Sequence, residues 1–228
     1  MASGRASVRA PRSAFGAILK TGGGTATKVV MAVLAVEWIL SLVTGRLLDQ
    51  LLLMSNEAIY LGQFWRLFTA AVTSGTIFGL LMNLLVLWIA GRAIESELGA
   101  WRFVALYVAA GLGGTTMLFV FGPYQSGGYG ASAAVIGLLA ANAIFKQKMR
   151  EDVRADIGLF ILLILYSILI GFRSFGWLML VGGLVVGAAV GWVLAYAPRR
   201  NRSTVQAVGI LGVIMLCLFA VVLKLTIF

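Results

Sequence analysis

At 228 residues, 61% hydrophobic and 11% charged, with a mean hydropathy of +1.01, the chain is too apolar for a water-soluble domain. The absence of histidine and the presence of one cysteine, Cys217, exclude a disulfide framework and any Cys/His metal centre, and no cofactor is expected. The formal net charge of +10 reads, in so apolar a chain, as Lys and Arg held beside a lipid bilayer; no nucleic-acid partner is implied.

Residues 1–28 are basic, carry Ser and Gly, and lack the apolar stretch of a cleaved signal peptide, so a flexible cytoplasmic tail is expected there. Seven apolar segments follow, at 29–43, 77–90, 103–121, 131–145, 157–170, 175–197 and 205–223. Each reads as a membrane helix, the shorter ones extended by flanking residues to reach about 20. Gly, Ala and Ser dilute the fourth, a composition that suits a helix packed inside a bundle better than one facing lipid. The fold class is therefore an all-α polytopic membrane protein. The connection 44–76 is too long for a turn and carries Leu51, Leu52, Leu53, Met54, Tyr60, Phe64, Trp65 and Phe68, so a structured, partly immersed loop is expected.

Basic residues set the sidedness. With the N-terminus inside, Arg5, Arg9, Arg12, Lys20, Lys28, Arg92, Arg102, Lys146, Lys148, Arg150, Arg154, Arg199, Arg200 and Arg202 are cytoplasmic. Only Arg46, Arg66, Arg173 and Lys224 fall on or near the other side, so the C-terminus is expected outside.

Four motifs then resemble the rhomboid family in order and spacing over about residues 29–197. Gly62-Gln63-Phe64-Trp65-Arg66-Leu67 looks like its Trp-Arg loop signature, and Gly91-Arg92-Ala93-Ile94-Glu95 with Gly99 looks like its Gly-Arg-x-x-Glu exit from the second helix. Gly130-Ala131-Ser132-Ala133 matches the nucleophile motif Gly-x-Ser-Gly except at its last position, where Ala133 adds a methyl group. Leu180-Val181-Gly182-Gly183 with Gly187 resembles His-x-Gly-Gly-x-x-x-Gly with the histidine replaced. The resemblance implies a six-helix core over 29–197. Residues 198–228 then form a basic linker and a seventh helix, and a bacterial plasma membrane is the expected setting.

Active rhomboids cut peptide bonds within the membrane with a serine on the fourth helix and a histidine on the sixth. Ser132 holds the first position and Leu180 the second. A serine hydroxyl needs a positioned base to take its proton, and leucine accepts none. The family's His-x-x-x-Asn on the second helix reads Gly79 to Asn83, which leaves Asn83 as an oxyanion donor or client contact. No lysine falls within the seven apolar segments, and Lys224, near the end of the seventh, only flanks them as Lys28 and Lys146 do, so a Ser-Lys pair is disfavoured.

Other residues read structurally. Trp65 is an interfacial anchor, Arg66 bonds loop carbonyls, and Arg92 and Glu95, three apart, pair with each other. Gly130, Gly182, Gly183, Gly187 and Gly191 let helices approach closely. Glu37, an ionisable residue within the first helix, is a candidate for function in its own right.

Three functions follow. The leading one is a non-proteolytic rhomboid-like protein that binds transmembrane segments of client proteins, as inactive rhomboids and Derlins do. The alternative is an intramembrane serine protease using Ser132 with an unrecognised base, and the third is a small-molecule or ion pathway around Glu37.

Overall fold

The structure, a computed structural model, describes residues 24–152, 175–198 and 201–227, with positions 154, 157, 158, 160, 161 and 165 between them. Most of the basic tail and most of the fifth expected segment lie outside the described residues. Five helices among those described are long and apolar enough to cross a membrane. They are α1 (Thr25–Val43), α5 (Ile77–Leu98), α6 (Ala100–Phe121), α8 (Gly176–Tyr196) and α9 (Arg202–Ile227), and α7 (Ala131–Met149) stands among them.

α7 is less apolar overall because its last turn, Lys146-Gln147-Lys148, is polar. Twelve of its 19 residues are buried, and its neighbours are α6 and α8. Gly183, Gly187 and Gly191 of α8 lie against Ala133, Gly137 and Ala141 of α7, and a methyl group at Gly183 would overlap the Ala133 carbonyl. Lipid already solvates apolar side chains, so close van der Waals packing is what holds such helices together.

Connection 44–76 is ordered throughout, as α2 (Leu47–Leu52), β1 (Met54–Ser55), α3 (Asn56–Tyr60), α4 (Arg66–Thr69) and a 3₁₀ turn at Ala70–Val72. β1 pairs antiparallel with β2 (Gly127–Gly128), which ties the loop to the approach to α7. One face of the loop buries Met54, Ile59 and Leu67, while Leu51, Leu61, Phe64, Trp65 and Phe68 are exposed. Such a two-faced segment suits the membrane interface.

The first helix begins at Thr25, four residues before the apolar run, because a distant residue completes its end. Glu95 accepts from the backbone amides of Ala26 (2.9 Å) and Thr27 (2.7 Å) and from the hydroxyls of Thr25 and Thr27. A carboxylate there satisfies amides the helix leaves open and opposes the positive end of its dipole. The expected pairing of Glu95 with Arg92 is therefore corrected. Arg92 is exposed, and the carboxylate turns inward to α1 instead. Gly91 fits the same contact, since a β-carbon there would come within 2.7 Å of the Thr27 methyl. α5 also runs past the expected end at residue 90, through a π turn at Leu87–Gly91, before Gly99 (φ 81°) turns the chain into α6.

Candidate functional site

Ser132 lies in the first turn of α7, where the first loop holds the chain in place. The Gly130 amide donates to the Ala70 carbonyl (2.9 Å) and the Ala131 amide to that of Thr73 (3.3 Å). A side chain at Gly130 would sit 2.8 Å from the Ala70 oxygen, so only glycine permits this approach. The loop is braced from behind by Tyr107, whose hydroxyl donates to Ala71 O (2.8 Å), and by Thr115, donating to Leu67 O (2.9 Å). Such bonds satisfy loop carbonyls that would otherwise be buried without donors.

Arg66 anchors the other end of the loop. Its guanidinium is buried and donates to the carbonyls of Gln50 (2.6 Å) and Leu53 (2.9 Å) and to Gln63 Oε1 (2.7 Å). Trp65 is exposed, with its indole N–H 3.4 Å from Leu51 O.

Around Ser132 the surroundings are apolar. The serine is half-buried, and its hydroxyl makes no hydrogen bond among the described residues. Ala131 and Ala134, on either side of it, share an apolar cluster with Leu80, Tyr107 and Leu180. Leu180 is buried on α8, three residues before Gly183 and thus on the helix face that meets Ala133. The Ala133 methyl is accommodated because it faces Gly114 of α6.

Asn83, one turn after Gly79 on α5, is buried, and its amide lies 3.5 Å from Ser74 Oγ. Its carbonyl oxygen has no donor among the described residues. Gly79 contributes no side chain, and its amide is bonded to the capping hydroxyl of Thr76 (3.0 Å). Gly182 packs away from Ser132, against Gly113 and Met117 of α6. No cluster that could hold a metal ion occurs among the described residues.

A second polar group, legible only in part from sequence, lies where α1 meets the first loop. Glu37 and Ser41, four apart on one helix face, are both buried. Asp49 of α2 is buried with its Oδ2 ion-paired to Arg46 (2.6 Å), and the Arg46 guanidinium sits 4.4 Å over the Trp38 ring. Neither oxygen of Glu37 nor Oδ1 of Asp49 has a hydrogen-bond partner among the described residues. Tyr129, just before the start of α7, is near enough to feel both acids and Arg46; burial, reinforced by Asp49, raises its phenol above the usual range. Glu37 stands out in the sequence. Asp49 does not, although an Arg-x-x-Asp pair in an apolar loop is the signal that marks it.

Comparison with known proteins places these features in a lineage. The family model described as Rhomboid domain matches residues 61–197. The chain is also similar to the Rhomboid protease GluP of Bacillus subtilis (strain 168), 34% identical over 167 residues, which cover 68% of this chain and 32% of that protein. It thus spans about a third of the length of that relative.

Proposed function

The chain belongs to the rhomboid family, and from that premise we propose that it binds transmembrane segments of other membrane proteins without cutting them, acting on their stability, assembly or traffic. The observation that carries this reading is Leu180, buried on the face of α8 that meets the Ser132 turn, in a chain without histidine. A serine hydroxyl without a base is a weak nucleophile. Gly79 takes a second polar group from the site, and loss of one oxyanion donor costs about 10²- to 10³-fold in rate. What remains suits holding a peptide: the Asn83 amide and the Ser132 hydroxyl can donate hydrogen bonds to an exposed client backbone. Leu81, Leu85 and Trp88 are exposed on the opposite, outward face of α5, where association within lipid rests on their van der Waals fit. The setting that goes with this reading is a bacterial plasma membrane, with the N-terminus cytoplasmic and the C-terminus outside.

A photo-crosslinker at Leu85 is expected to trap a defined set of membrane proteins, and one at the buried Leu34 to trap none. Ser132→Ala should leave that set unchanged. Loss of function in Ser132→Ala at normal protein levels would overturn the proposal.

Similarity to a protein named a protease favours one second reading, an intramembrane serine protease in which Ser132 is served by another base. Fluorophosphonate labelling that disappears in Ser132→Ala would establish it; no labelling of the natural chain is expected. Leu180→His separates the causes further. Labelling gained on that change would mean that the site is intact apart from its base.

A further inference from the structure

Lys224 plays no part in the turn around Ser132. It lies three residues before the end of α9, about 4.5 Å along the axis at 1.5 Å per residue. Its ammonium donates to the Val120 carbonyl (2.7 Å) near the end of α6 and stands 5.8 Å from the centre of the Phe119 ring. Beside it is a pocket of about 390 Å³, lined by Asn56 and Tyr60 of α3, by Gly122 and Tyr124 just after α6, and by Lys224 itself. The Tyr60 ring lies 5.4 Å from that of Tyr124 and 5.2 Å from that of Phe119, and neither tyrosine hydroxyl makes a hydrogen bond among the described residues. Asn56 is buried, with its Nδ2 donating to the carbonyls of Leu118 (3.3 Å), Gly122 (3.4 Å) and Pro123 (2.9 Å). Three acceptors around one end of the amide fix that end as the nitrogen, so Oδ1 can only accept. It has no donor among the described residues.

We propose that this pocket holds the headgroup of an anionic phospholipid that carries a free hydroxyl, as phosphatidylglycerol does, with its phosphate against Lys224 and its hydroxyl donating to Asn56 Oδ1. Position along the spans points to a lipid: α6 and α9, both long and apolar enough to cross a membrane, end at the pocket, which is the level of the headgroups. Tyrosines with an apolar ring and a polar tip suit that level as well. Charge then selects the headgroup. Lys224 brings one positive charge and none of the described residues lining the pocket is acidic, so a single net negative charge is matched, whereas the ammonium of a zwitterionic headgroup would meet no counter-ion. The site uses the charge of Lys224 in addition to the contacts that residue already makes with the chain. Phe121, next to Gly122, and Leu223, next to Lys224, are exposed and would lie along the acyl chains. Because the pocket draws on the first loop, the end of α6 and α9, one bound lipid would fasten α9, the least buried of the five spans, to the rest of the fold. The inference holds whether or not the chain cleaves a substrate.

The test uses the full chain in mild detergent, titrated in turn with phosphatidylglycerol, phosphatidylcholine and inorganic phosphate, with bound lipid counted by native mass spectrometry and the melting temperature followed in parallel. One phosphatidylglycerol per chain should be retained and should raise the melting temperature, while the other two leave it unchanged. Lys224→Gln is expected to weaken that binding about tenfold, the worth of one charge-assisted hydrogen bond. Arg92→Gln, which removes an exposed charge elsewhere, should bind as the natural chain does. Four results would each overturn the inference: unchanged binding in Lys224→Gln, an equal loss in Arg92→Gln, equal binding of phosphatidylcholine, or an equal response to inorganic phosphate, which would make this a site for a free anion. If Lys224→Gln fails to fold, Tyr124→Leu at an exposed position replaces it. Binding about threefold weaker is then expected, as for one neutral hydrogen bond, and unchanged binding would overturn the inference in the same way.

Discussion

Along α7 and α8 two backbones meet through glycine and alanine, whereas α1 meets the first loop through two carboxyls, a guanidinium and an aromatic ring. The first contact lies where the family's chemistry would be and contains almost nothing that can exchange a proton. The second lies where the resemblance assigns no chemistry, and it holds buried acids. Shape determines the one and charge balance the other, so they should fail under different substitutions.

The largest effect is expected from added volume at the first contact. Gly187→Leu must displace the Gly137 backbone, beyond the about 1–3 kcal/mol typical of overpacking, and should give no monodisperse protein on size exclusion. If Gly187→Leu purifies with an unchanged melting temperature, the close α7–α8 approach is wrong.

Charge and hydrogen-bond removal should dominate elsewhere. Arg66→Ala leaves the Gln50 and Leu53 carbonyls without their donor and should cost about 2–3 kcal/mol in thermal or denaturant unfolding, with Arg66→Lys recovering only part. Glu95→Gln, which keeps the shape and removes the charge at the α1 terminus, should cost about 1 kcal/mol. If Arg92→Ala proves equally costly, the two residues do cooperate after all.

Ser132→Ala is expected to be the mildest, within about 0.5 kcal/mol, because the hydroxyl makes no bond that must be replaced. A larger loss in the same unfolding measurement would mean that Ser132 holds the start of α7.

The contrast also explains which features were legible in the sequence. Long apolar runs marked α1, α6, α8 and α9 within a few residues and the start of α5, since membrane thickness dictates their length, but not the end of α5, eight residues past its run. The small residues of α7 foretold a helix enclosed by others. The start of α1 was not legible, because its capping group arrives from Glu95, about 70 residues further along the chain. For the same reason Glu37 could be singled out while Asp49, folded back beside α1 by the turn after it, could not. Local patterns report burial, whereas partners for buried charge are chosen by the fold.

The π turn in α5 bears on how the chain tolerates insertions and deletions. A π turn amounts to one extra residue in an otherwise regular helix. Removing a single residue from Leu87–Gly91 would restore ordinary pitch and leave the face presented beyond it nearly unchanged, whereas a deletion in the regular turns between Ile77 and Val86 would rotate everything beyond it by about 100°. Glu95 would then swing off the end of α1, and Gly91 would no longer face Thr27. Single-residue deletions should therefore be accommodated at the π turn far more readily than in the helix before it, although neither place touches Ser132.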